Sequence, residues 1–156
     1  MLRDRIKESM KTAMKAKDEI GLAATRLMQA ALKDRDIAAR SKGNMDGISD
    51  DEILGMLQSM IKQRRDSIEM YEKGGRPELA EREAKEIDVI ESFLPEQMDD
   101  EAAAAAIRAV MKELGAQSMK DMGRVMAVLK ERHAGSMDFA KASGQVKAQL
   151  NAQSTA

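Results

Sequence analysis

The sequence predicts an all-α protein. An N-terminal four-helix domain is expected over residues 1–97, a small three-helix domain over 98–150 and a flexible tail over 151–156. Three observations support this. The better helix formers, Ala, Glu, Lys, Met, Leu and Arg, make up most of the 156 residues. Aromatic residues are only 2%, and β-branched residues are too sparse to furnish a packed sheet. Apolar residues recur at helical spacing in successive segments, each bounded by a glycine, a proline or a capping side chain.

Each element has its own signal. Leu2, Ile6, Met10, Ala13 and Met14 form one stripe of a first helix reaching to about Lys17. Asp18 caps a second helix, whose inward stripe is expected at Ile20, Ala24, Leu27, Met28 and Ala31. Gly43 to Gly47 breaks the chain. Ser49 and Glu52 then form a capping box, in which each side chain satisfies the other residue's free backbone N–H. The third helix carries Ile53, Leu57, Met60, Ile61, Ile68 and Tyr71 inward and ends at Gly74-Gly75. Pro77 opens the fourth, where a missing N–H costs nothing. That helix carries Ala80, Ala84, Ile87, Ile90 and Leu94, and Pro95 stops it.

Asp99-Asp100-Glu101 starts a fifth helix with acidic residues at the positive end of its dipole. Ala103, Ile107, Val110, Met111 and Leu114 are its stripe, and Gly115 its end. Ser118 with Asp121 opens a sixth, bearing Met122, Val125, Met126 and Leu129. Asp138 caps a seventh, bearing Phe139, Ala142, Val146 and Leu150. Gly144 inside it costs roughly 1 kcal/mol relative to Ala, which implies either close packing or a weak helix. Most of the 14 methionines fall on inward stripes, while Met45, Met119 and Met137 near the breaks are candidates for exposed contacts.

The chemistry that is missing is as informative. Without cysteine there is no disulfide, no thiolate catalysis and no Cys-based zinc site. The single histidine, His133, sits in a charged helix end and is read as structural. No phosphate-binding glycine loop is present. A calcium-loop register over Lys42 to Ile53 fails at both its first and last ligand positions. The carboxylates from Glu78 to Glu91 are read as a solvated helix face. No cofactor is therefore expected. No run is long and apolar enough for a membrane span, and Met1 to Arg5 lead into an amphipathic pattern without a signal core. A cytoplasmic protein with no membrane partner is the expectation.

Charge is segregated along the chain. Residues 1–45 hold 11 Lys and Arg against 6 Asp and Glu, residues 46–98 hold 7 against 14, and residues 99–156 hold 8 against 7. The basic and acidic blocks either pair with each other or leave a basic face on the first helices. Arg26, Lys62, Arg64 and Asp66 are candidates for a groove. For Arg64, bordering a buried stripe, bridging to Asp66 or to the acidic fourth helix is the favoured role.

Two stretches carry a family resemblance. One is Ile61 to Ser67 with Tyr71, followed by Phe93-Leu94-Pro95-Glu96-Gln97-Met98. The other is Asp121-Met122-Gly123-Arg124-Val125-Met126 with Gly135, Asp138 and Val146 to Leu150. Together they resemble the YqeY proteins, a bacterial family of about this length. The resemblance implies two helical domains, the second similar to the tail of GatB. That subunit belongs to the glutamine-dependent amidotransferase acting on misacylated tRNA, and its tail contacts tRNA. The grouping implied is with carbon–nitrogen ligases using glutamine as amido-N donor, although no nucleophile, phosphate loop or metal cluster is visible in these residues. Ser136 stands where the GatB tail commonly has a lysine, removing one positive charge.

The implied role is a tRNA-binding or amidotransferase-associated accessory module. Its partners would be tRNA, and amidotransferase or aminoacyl-tRNA synthetase proteins. Candidate phosphate contacts are Lys120, Arg124, Lys130, Arg132, Lys141 and Lys147 on the outward faces of the second domain. The alternative is a protein–protein interaction module without nucleic acid.

Overall fold

The computed structural model describes residues 1–154, apart from the side chain of Ser154. Thr155 and Ala156, part of the expected flexible tail, lie outside the described residues. Among the described residues there are seven α-helices and no strand. The chain divides into two units, Met1–Pro95 and Glu96–Ala156.

The first unit contains α1 (Leu2–Lys15), α2 (Glu19–Ser41), α3 (Asp50–Lys73) and α4 (Pro77–Glu91). The capping residues do as their chemistry demands. Asp18 accepts from the Gly21 N–H, and Ser49 with Glu52 closes the reciprocal box. Pro77 occupies the start of α4. That helix stops at Glu91, one turn before Pro95, so Leu94 belongs to the following turn and not to the helix. The core gathers Ile6, Met28, Ile53, Met56, Leu57 and Ile90, all essentially inaccessible.

Four side chains of the first unit are placed against expectation, beginning with Met14 of the first stripe, which is 51% exposed. Leu27 is 48% exposed, because α2 buries Gly21, Ala24, Met28 and Leu32 and leaves Leu27 on the outer flank. Ala84, expected on the inward stripe, is exposed, and Glu86, expected on a solvated face, is buried. The turn after α1 ends on Lys17 at φ 55, a left-handed conformation that a side chain tolerates as a single residue.

A clasp closes the long break after α2. Asp36 accepts two bonds from Arg3, at 2.6 and 3.2 Å, and one at 2.9 Å from the Ile48 N–H. Arg3 also donates to the Ile48 carbonyl at 3.0 Å. The Arg3 hydrogen bond holds the Asp36 carboxyl below the usual carboxylate range. Gly47 lies against this clasp at φ 87, and a Cβ there would sit 2.6 Å from Asp36 Oδ1. Both the backbone conformation and the space require glycine.

The second unit contains α5 (Asp100–Leu114), a short 3₁₀ turn (Met119–Asp121), α6 (Met122–Arg132) and α7 (Phe139–Ser154). Its core is Ile107, Val110, Met111, Val125, Leu129, Met137, Ala142, Val146 and Leu150. Met137, expected as an exposed contact, is 1% accessible, since the turn before α7 folds it inward; Met45 and Met119 are exposed. Gly144 is exposed and a Cβ there meets nothing within 4 Å, so close packing is not its reason. Helix α7 continues through Asn151 to Ser154, past the expected end at Leu150. Gln145 and Gln149 donate to the carbonyls of Asp100 and Ala104. Both partners advance by four residues together, so α7 runs parallel to α5.

Candidate nucleic-acid interface

The end of the first motif stretch, Gln97 and Met98, bonds the turn holding Gly135 inside the second unit. Gln97 donates to the Gly135 carbonyl at 2.6 Å, and the Met98 N–H donates to the Ser136 carbonyl at 2.8 Å. The segment after Pro95 is thereby fastened to the turn between α6 and α7. Ser136 also donates its hydroxyl to the His133 carbonyl. His133 caps the end of α6 and is half-buried, and its carbonyl organises this turn. Both residues serve the backbone here.

The six basic residues expected to contact phosphate are all exposed, but they are not equivalent. Arg124 donates to Asp121 at 2.6 Å. Arg132 pairs with Glu113 of α5 at 2.7 Å. Asp121 has two further donors, the N–H groups of Gln117 and Ser118. Those backbone bonds, led by Gln117, and then Arg124 lower the Asp121 carboxyl to about 2. It stays charged and keeps Arg124 engaged. Lys120, Lys130, Lys141 and Lys147 make no ion pair among the described residues.

Helical geometry separates the six further. On α7 the buried residues Ala142, Val146 and Leu150 mark the inward line. Lys141, Gln145 and Gln149 follow one flank at four-residue steps, and both glutamines bond α5. Lys147 lies six residues from Lys141, about 120° around the helix at 3.6 residues per turn. It therefore belongs to the opposite flank, toward α6 and the 3₁₀ turn. On α6, Arg132 reaches α5, and Lys130, two residues earlier, is about 160° away on the other flank. Lys120 sits on the 3₁₀ turn, which packs on α7. Lys120, Lys130 and Lys147 thus border the α6–α7 seam, while Lys141 borders the α5–α7 seam.

In the first unit, Arg64 is buried and its expected groove is not formed. Arg26, Lys62 and Asp66 are exposed, whereas Arg64 bonds Glu86 of α4 at 3.2 Å and the Met60 carbonyl at 3.3 Å. Bridging to the fourth helix is its role, and Glu86 is not part of a solvated face. The Arg3–Asp36 clasp escaped sequence reasoning, because its partners are 33 residues apart and each sits on a helix surface rich in charge.

The model of the Yqey-like protein family matches residues 3–150. The chain belongs to the YqeY family. It is also similar to "Altered inheritance of mitochondria protein 41, mitochondrial" of Lachancea thermotolerans, 34% identical over 89 residues. The protein of that name in Saccharomyces cerevisiae strain YJM789 is 35% identical over 89 residues. Each alignment covers 57% of this chain and 46% of the relative. The matched part of this YqeY-family chain thus spans about half the length of those relatives. No described helix is long and apolar enough to cross a membrane.

Proposed function

We propose that this YqeY-family protein is a non-catalytic accessory module that binds tRNA through the α6–α7 seam of its second unit. The observation carrying this reading is the set of exposed lysines, Lys120, Lys130 and Lys147, that have no carboxylate partner among the described residues. Such cations position a phosphate backbone without reading bases. Among the described residues the second unit exposes no large aromatic for base stacking, so a folded RNA recognised by shape is the fitting target. The resemblance to the GatB tail supports tRNA as that RNA and the amidation machinery as its setting. The paired Arg124 and Arg132 are left out of the contact set. A cytoplasmic location accords with a chain free of cysteine.

Fluorescence anisotropy with labelled tRNA at increasing KCl tests the reading. Each phosphate contact contributes roughly 0.9 to the slope of log affinity against log salt. Changing Lys120, Lys130 and Lys147 together to Gln should reduce that slope by about 2–3. Binding that ignores salt, or is unchanged in the triple variant, rejects it.

A second reading, a protein-docking module, is favoured by the outer face of α2. Leu27 is 48% exposed there. Leu27→Asp should then abolish association with an amidotransferase or synthetase subunit while tRNA affinity holds. Association surviving that change would reject it.

A further inference from the structure

A groove of about 560 Å³ runs between α1 and α2 in the first unit, away from the residues assigned above. Lys7 lines it from α1, and Lys33 and Arg40 line it from α2. Two carboxylates share the lining, Asp4 and Asp36, and one further cation, Arg3. The lining therefore carries four cations against two anions. Asp36 does not neutralise the lysines, because its oxygens are taken by Arg3 and by the Ile48 N–H. Lys7 and Lys33 make no ion pair among the described residues, and both are exposed. Like charges facing one cleft repel, and an anion between them relieves that repulsion.

We propose that the α1–α2 groove is a binding site for phosphate groups, with Lys7 and Lys33 as its principal contacts and Arg40 as an auxiliary one. The volume is that of a small-ligand site. The antiparallel approach of α1 and α2, fixed by the Arg3–Asp36 bond, sets Lys7 across from Lys33. The apolar share of the wall, Leu32 and Ile37, suits a sugar or alkyl portion. It offers no aromatic ring to stack a base, so recognition rests on the phosphate oxygens. The phosphates come either from a small phosphorylated molecule or from an RNA backbone.

Amide chemical shifts of the full ¹⁵N-labelled chain, titrated with pyrophosphate and separately with tRNA, test this. Saturable shifts around Lys7, Lys33 and Arg40 with pyrophosphate support the site and identify a small phosphorylated ligand as sufficient. Shifts there with tRNA alone support it and assign the phosphates to RNA. In either case Lys7→Gln with Lys33→Gln should weaken binding at the groove about tenfold or more. The Lys120, Lys130 and Lys147 triple variant should leave the groove's response to pyrophosphate unchanged, which separates this site from the α6–α7 seam. Both lysines are exposed, and an unchanged thermal midpoint will show that the double variant folds. Absence of groove shifts with either ligand, or shifts that survive the double variant, overturns the proposal.

Discussion

Arg64 and Glu86 show what a single buried pair does in this fold. Each is less than 10% accessible, and they meet between α3 and α4. Desolvating both is unfavourable, and their mutual attraction with the bond to the Met60 carbonyl offsets it. Removing Arg64 leaves the buried Glu86 with only the exposed Arg82, at 3.9 Å, as a counter-charge. Arg64→Met should therefore destabilise the first unit by about 3–5 kcal/mol. Arg64→Met combined with Glu86→Leu should recover most of that loss, because an apolar pair of similar volume needs no counterion. Urea denaturation of the two variants measures both. A double variant as unstable as the single one would show that the pair itself specifies the packing of α3 on α4.

At the scale of elements, the helices were legible because their ends are chemically marked. Asp18, Ser49, Pro77 and Asp99 each start a helix as their chemistry requires. Periodicity was less decisive about which flank is buried. In α2 the expected stripe joined Ile20, Ala24, Leu27, Met28 and Ala31, but the buried line runs through Gly21, Ala24, Met28 and Leu32 and leaves Leu27 exposed. Contacts between distant segments, such as Arg3 with Asp36 or Gln97 with Gly135, left no local signal. The candidate phosphate-binding residues were legible as exposed cations, but their ion pairs were not, since Arg132 meets Glu113 only through packing.

The start of α6 carries a pH consequence. Asp121 titrates at about 2, below its ordinary value, because it accepts from Gln117, Arg124 and Ser118. A depressed folded value means the contribution is present above the unfolded carboxylate range, near 3.9. It is lost as pH falls through the folded value. Acid unfolding of the second unit should therefore carry an inflection between about pH 4 and pH 2. Asp121→Asn should remove that inflection and free Arg124. Circular dichroism during acid titration of both proteins checks this, and identical acid limbs would assign the sensitivity to another carboxylate.

For the whole molecule, the decisive feature is that the two hydrophobic clusters share no residue. One centres on Ile53 and Leu57, the other on Ile107 and Leu129. The second belongs to a unit spanning Glu96–Ala156. A domain of about 60 residues buries only about 60% of the surface its unfolded chain exposes, so its margin is thin. Glutamine bonds from α7 to α5 and the Gln97 anchor add hydrogen bonds, each worth about 1 kcal/mol net. The second unit should therefore open first. Leu129→Ala should cost about 2–5 kcal/mol, by lost transfer energy and by the cavity left behind. Hydrogen exchange read by mass spectrometry should place that cost in α5, α6 and α7 while α3 keeps its protection. Leu57→Ala should do the converse and raise exchange in the first unit. If Leu129→Ala instead raises exchange equally in α3, the two clusters unfold as one cooperative core.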